Sequence, residues 1–96
     1  MRTMLTVVID TPAGNAAVKD GAIGKYLDEL AQQLKPEAMY FFATKGKRTA
    51  LAVFDMTDSS QIPAICEPIF QGLNAEVELQ PVMNAEDLQK GLAGLG

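Results

Sequence analysis

Histidine is missing from all 96 residues, and only one cysteine, Cys66, is present. The missing imidazole removes the commonest general base near neutral pH. It removes proximal-His haem ligation and rules out Ser-His and Cys-His nucleophile pairs. One cysteine without histidine is far from a zinc ligand set. No metal and no cofactor are therefore expected. A lone cysteine makes no internal disulfide, so a cytoplasmic, reducing location is expected.

Cations are also in short supply. Lys plus Arg number 8 against 12 Asp plus Glu, a net charge of −4. That balance opposes nucleic acid, which needs clustered positive charge. It equally opposes an anionic membrane surface. No apolar run approaches the ~20 residues of a membrane helix. Met1–Met4 leads straight into a strand-like run, so no secretion leader is expected. Repeats and low-complexity segments are absent. Hydrophobic residues make up 48%, enough for one packed domain over residues 1–96.

What is present is an order of apolar segments. Met4–Asp10 alternates as a strand, with Leu5, Val7 and Ile9 on one face and Met4, Thr6 and Val8 on the other. Thr11-Pro12-Ala13-Gly14 breaks it. Asn15 is a candidate helix cap and Asp20 an alternative start. Ile23, Leu27, Leu30 and Leu34 then form a helical stripe, ended at Pro36. Ala38–Thr44 and Arg48–Asp55 read as a hairpin around Lys45-Gly46-Lys47.

Asp58 and Gln61 read as a capping box. The following stripe, Ile62, Ile65, Cys66, Ile69, Phe70 and Leu73, contains Pro68, which predicts a kink or break. Ala75–Val82 is a last strand, and Pro81 puts it at an edge or ends it in a bulge. Asn84, Glu86 and Asp87 open a short terminal helix from about residue 85, to be docked by Leu88, Leu92 and Leu95. The sum is βαββαβ. This is the ferredoxin-like α+β class, a four-stranded antiparallel sheet with helices on one face. Neither face of the hairpin strands is polar. One should cover the helices, and the other needs a partner.

With Lys47–Asp55, Glu67-Pro68-Ile69-Phe70 and Gln80-Pro81-Val82-Met83 in this pattern, the chain resembles small bacterial members of the dimeric α+β barrel superfamily. The resemblance implies a homodimer with sheets face to face. It also implies a cleft for a small molecule, as in ligand-sensing domains, or an activity such as that of cofactor-independent monooxygenases or muconolactone isomerases. None of the family's catalytic residues maps onto a numbered position here.

Three function classes follow. The first is a homodimer binding a small apolar or aromatic molecule in a cleft at the sheet face. The second is a cofactor-independent monooxygenase or isomerase. The third is a purely structural interaction module. The candidate lining residues are Thr6, Tyr40, Phe42, Phe54, Glu78 and Gln80. Glu78 and Gln80 are polar groups in an apolar setting, as ligand sites often have. Tyr40 either donates to a ligand carbonyl or packs with a wet hydroxyl. Asp10 and Asp55 end strands expected to be neighbours. They either share a proton or solvate strand ends. Arg48 either pairs with Glu76 or Glu78 or meets an anionic substrate. Cys66, inside its helix's apolar stripe, reads as a buried structural thiol.

Overall fold

Strand β1 (Arg2–Ile9) lies inside the sheet, and its alternation defines two faces. Thr3, Leu5, Val7 and Ile9 are buried, while Arg2, Met4, Thr6 and Val8 are half-buried. The computed structural model describes residues 1–96. β2 (Ala38–Thr44) and β3 (Lys47–Asp55) form the expected hairpin. Its turn residues, Lys45 and Gly46, take positive φ of 53° and 77°. β4 (Ala75–Pro81) forms the far edge, where Pro81 loses no ladder bond that a neighbour needs. The strand order is β2-β3-β1-β4, antiparallel throughout. A βαββαβ chain takes this order when each βαβ unit leaves room for one strand between its own two.

The register aligns the helix-side residues in rows: Met39, Ala52, Leu5 and Leu79, then Phe41, Ala50, Val7 and Val77. Leu30 and Leu34 from one helix, and Ile65, Cys66, Ile69 and Leu73 from another, complete the core over this face. Each fully buried Leu or Ile side chain contributes about 1.5–3 kcal/mol. The opposite face carries no helix layer.

The helices depart from expectation in five places. α1 (Thr11–Asp20) starts four residues before Asn15. Pro12 sits in its first turn, where a missing N–H is an orphan anyway, so Thr11-Pro12 ends the strand by starting a helix. Gly21, at φ 79°, then separates α1 from α2 (Ala22–Leu34). Two helices thus stand where one was expected. Lys35, before Pro36, stops α2 in the left-handed region at φ 47° rather than in an extended one.

α3 (Ile62–Leu73) continues through Pro68 without a break. Ala64, whose carbonyl loses its donor there, is exposed along with Pro68, so water can take that bond. The expected box precedes α3 on a 3-10 turn: Ser60 N–H donates to Asp58 Oδ1 at 3.0 Å, and Asp58 N–H to Gln61 Oε1 at 3.1 Å.

α4 (Ala85–Ala93) forms as expected, boxed by Asn84 and Asp87. Its leucines do not dock. Leu88, Leu92 and Leu95 are 45%, 57% and 83% exposed. The helix is tied instead by Asp87, which accepts from Arg2 Nη1 at 3.0 Å. The molecule is accordingly elongated, 54 × 28 × 18 Å. No helix is long and apolar enough to cross a membrane.

Candidate functional site

The uncovered sheet face is built in rows by the same register. Glu78, Thr6, Leu51 and Tyr40 lie side by side across all four strands. Gln80, Met4, Val53 and Ala38 form the next row on one side. Glu76, Val8, Thr49 and Phe42 form the row on the other. Five of the six expected lining residues, Thr6, Tyr40, Phe42, Glu78 and Gln80, therefore share this face. The middle strands give it an apolar centre, and β4 gives it an acidic rim. Tyr40 and Phe42 on the outer strand are exposed. Tyr40 and Glu78 sit three strand spacings apart, about 14 Å. Within one subunit they do not converge as a proton-transfer pair.

Phe54 is the exception. It belongs to the buried set of β3, faces Thr3 of β1 and is 2% exposed on the helix side. The sheet separates it from the other five, and it is a core residue. Asp10 and Asp55 are also apart. β1 and β3 run antiparallel, with Arg2 opposite Asp55 and Ile9 opposite Arg48, so the two carboxylates mark opposite ends of the sheet. Asp55 takes the amino group of Met1, and Asp10 faces Lys47 Nζ at 3.8 Å. No proton can be shared between them. Arg48 does not meet Glu76 or Glu78, because alternation turns it to the helix side.

At the Met1 end of the sheet, Arg2 Nε donates to Glu37 Oε1 at 2.6 Å while Nη1 reaches Asp87. The Glu37 hydrogen bond and charge, with Asp87 adding, hold the guanidinium above its ordinary pKa. Cys66 is buried as expected, and burial, with Glu67 adding, pushes its thiol up.

The largest cavity lies on the side the sequence reading passed over. About 480 Å³ opens between α1, α2 and the hairpin end of the sheet. Ile9, Val18, Ile23, Leu27, Phe41 and Arg48 line it, and Arg48 is its only charged residue. Of the expected residues only Phe42 also borders it. The space exists because Ala43 and Ala50 are small, and because the chain breaks at Gly21 between the two helices above. A signal was present: Phe41 alternates with Met39 and Ala43 toward the helices, yet its neighbours there are alanines. Phe41 is left 58% exposed.

The chain matches no protein-family model and none of the curated proteins. Among solved structures it is similar to the de novo designed protein Ferredog-Diesel, with a TM-score of 0.50 and 10% identity. The match covers 84% of this chain and 85% of that one. At that identity the likeness concerns fold alone, and the fold is ferredoxin-like α+β.

Proposed function

We propose that the chain works as a homodimer of the dimeric α+β barrel type. Its open sheet faces meet and hold a small apolar or aromatic molecule between them. The observation that carries this reading is the row Glu78–Thr6–Leu51–Tyr40, apolar at its centre and hydrogen-bonding at its rims, on a face without helix cover. Met4, Val8, Leu51 and Val53 are half-buried there. Covering them gains about 25 cal/mol for each Å² removed from water.

Charge favours one arrangement of the two copies. Glu76 and Glu78 line the β4 edge, while Lys45 and Lys47 lie at the end of the hairpin that forms the other edge. A two-fold axis across the strands would set acidic edge against acidic edge, which costs energy. An axis along the strands lays each acidic edge over its partner's aromatic and basic edge. Glu78 then faces Tyr40 of the partner subunit in the same row, across the ~10 Å that separates packed sheets. α4 supports the same assembly. Its leucines are uncovered, and Asp87 ties the helix to Arg2, a residue of the open-face set of β1.

The enzyme alternative draws on the same juxtaposition, since Glu78 and Tyr40 approach only between subunits. Sedimentation velocity tests the assembly: the wild type should run as a dimer and folded Leu51→Glu as a monomer. A wild-type monomer at high micromolar concentration overturns the proposal. Native mass spectrometry of protein purified from cells should reveal a retained compound in the dimer. An empty dimer with a solid interface leaves the interaction module in its place. Turnover of any identified compound that survives Glu78→Gln and Tyr40→Phe removes the enzyme alternative at these residues.

A further inference from the structure

We propose a second ligand site, on the other side of the sheet from the dimer face. The ~480 Å³ pocket beneath α1 and α2 takes a small apolar monocarboxylate, its body against Phe41, Leu27 and Ile23 and its carboxylate on Arg48.

Arg2 and Lys47 are paired with carboxylates, but Arg48 has no ion pair, although it is half-buried. Its side chain makes no hydrogen bond to the protein either. Asp10, next in the chain to Ile9, the cross-strand partner of Arg48, faces Lys47 instead. A guanidinium carries five donors in a fixed planar fork and suits a carboxylate bidentately.

Gly14 supplies the second observation. It is buried inside α1, where glycine costs about 1 kcal/mol against alanine. A Cβ there would stand 2.8 Å from Arg48 Nη1 and 3.2 Å from Ile9 Cγ2. The bare backbone of α1 therefore gives the guanidinium its seat at the pocket wall. All the other lining residues except Thr49 are apolar. Phe41 and Val18 stay substantially exposed around the opening, a surface that an apolar body would cover.

The chemistry of the occupant follows. One cation calls for one anionic group, and nothing in the lining selects for further polar groups. The volume sits within the range of small-molecule sites and accommodates on the order of ten to fifteen non-hydrogen atoms. Alkyl and aryl carboxylates of that size share the required chemistry.

The chain contains no tryptophan, which makes a clean reporter possible. Phe41→Trp puts one indole in the pocket, and Tyr40→Trp puts one on the opposite face. Each is titrated with octanoate, 4-phenylbutyrate and the neutral probe octanol, following emission. The expected result is a saturable change in Phe41→Trp with a carboxylate, at least about ten-fold tighter than with octanol. Tyr40→Trp should stay silent at the same concentrations. The preferred carboxylate tells an alkyl from an aryl occupant. Adding Arg48→Gln should weaken carboxylate binding about ten-fold or more and leave octanol unchanged. If Arg48→Gln fails to fold, Arg48→Lys, which keeps the charge and loses the fork, should give an intermediate loss.

Equal affinity for carboxylate and alcohol overturns the proposal, as does a response confined to Tyr40→Trp. The latter result would favour the sheet-face cleft instead. A monomeric wild type that still binds carboxylate at Phe41→Trp would overturn only the dimer. The two proposals therefore fail separately.

Discussion

The ring of Tyr26 on α2 rests on the bare Cα of Gly72 on α3. A Cβ at residue 72 would fall inside the van der Waals envelope of that ring and its hydroxyl. The two helices can approach here because one of them has no side chain at the crossing. Gly72 thus acts in packing, while Asn74, at φ 50°, supplies the left-handed end of α3.

Gly72→Ala should therefore destabilise the protein by about 1–3 kcal/mol, the ordinary range for overpacking. In a Tyr26→Leu background the same change should be neutral or stabilising, because alanine is the better helix former. Urea unfolding of the four proteins in this cycle measures the coupling. Equal effects in both backgrounds would sink the contact.

Phe54 and Phe42 are neighbours in type and opposites in position. Phe54→Ala empties a core site and should cost about 3–5 kcal/mol. Phe42→Ala, on the open face, should cost well under that in the monomer, near the ±0.5 kcal/mol of surface changes. Urea midpoints of both, measured in a monomeric Leu51→Glu background, check the difference in face.

Deleting residues 84–96 should lower the subunit's own stability by no more than about 1 kcal/mol, the worth of an exposed ion pair such as Arg2–Asp87. The same deletion should weaken the proposed dimer at least ten-fold, since it removes Leu88, Leu92 and Leu95. Sedimentation equilibrium and urea unfolding on one preparation separate the two effects.

Asp58 accepts from the Ser60 backbone, and that bond holds its carboxyl below the usual value of 3.8. A depressed folded pKa contributes stability above the unfolded value and loses it as pH falls through the folded one. Asp58→Ala should therefore lower the melting temperature at neutral pH, and the gap to wild type should close as pH drops below 3.8. A gap independent of pH would mean that the charge on Asp58 does not matter.

Burial holds the Cys66 thiol protonated beyond its ordinary 9.0. Only the thiolate reacts with disulfide reagents. Labelling at pH 8 should be slow in the folded protein and prompt in denaturing urea. Fast labelling of the native state would mean that α3 opens readily.

The faces of the sheet were legible in the sequence because strand alternation is short-range and unambiguous. Leu5, Val7 and Ile9 point inward as read, and Glu78, Thr6 and Tyr40 share the other face as read. The hairpin, the Asp58–Gln61 capping box, the helix start at Asn84 and the edge position of Pro81 were also local matters. Errors arose where one residue serves two roles. Thr11–Gly14 ends the strand as expected, but Pro12, in a first helical turn, also lets α1 start there, four residues before Asn15. Phe54 was read by its chemistry, although its alternation with Ala50 and Ala52 already placed it in the core. Asp10 and Asp55 end neighbouring strands, but antiparallel neighbours put those ends apart, so of the two readings only the separate strand ends fit. The Arg48 pocket depends on how far α1 and α2 reach over β2, a tertiary quantity that no local pattern encodes.

The two rims of the sheet differ in how they treat strangers. β4 ends in Pro81 and carries Glu76 and Glu78, all of which discourage another strand from annealing. β2 reads Ala-Met-Tyr-Phe-Phe-Ala-Thr, seven residues with no charge, no proline and no glycine, and one side of its ladder is unpaired. Such a ribbon is a template for fibrillar growth. At high concentration or during slow refolding, the chain should stick first along Ala38–Thr44, and Phe42→Lys should keep it in solution.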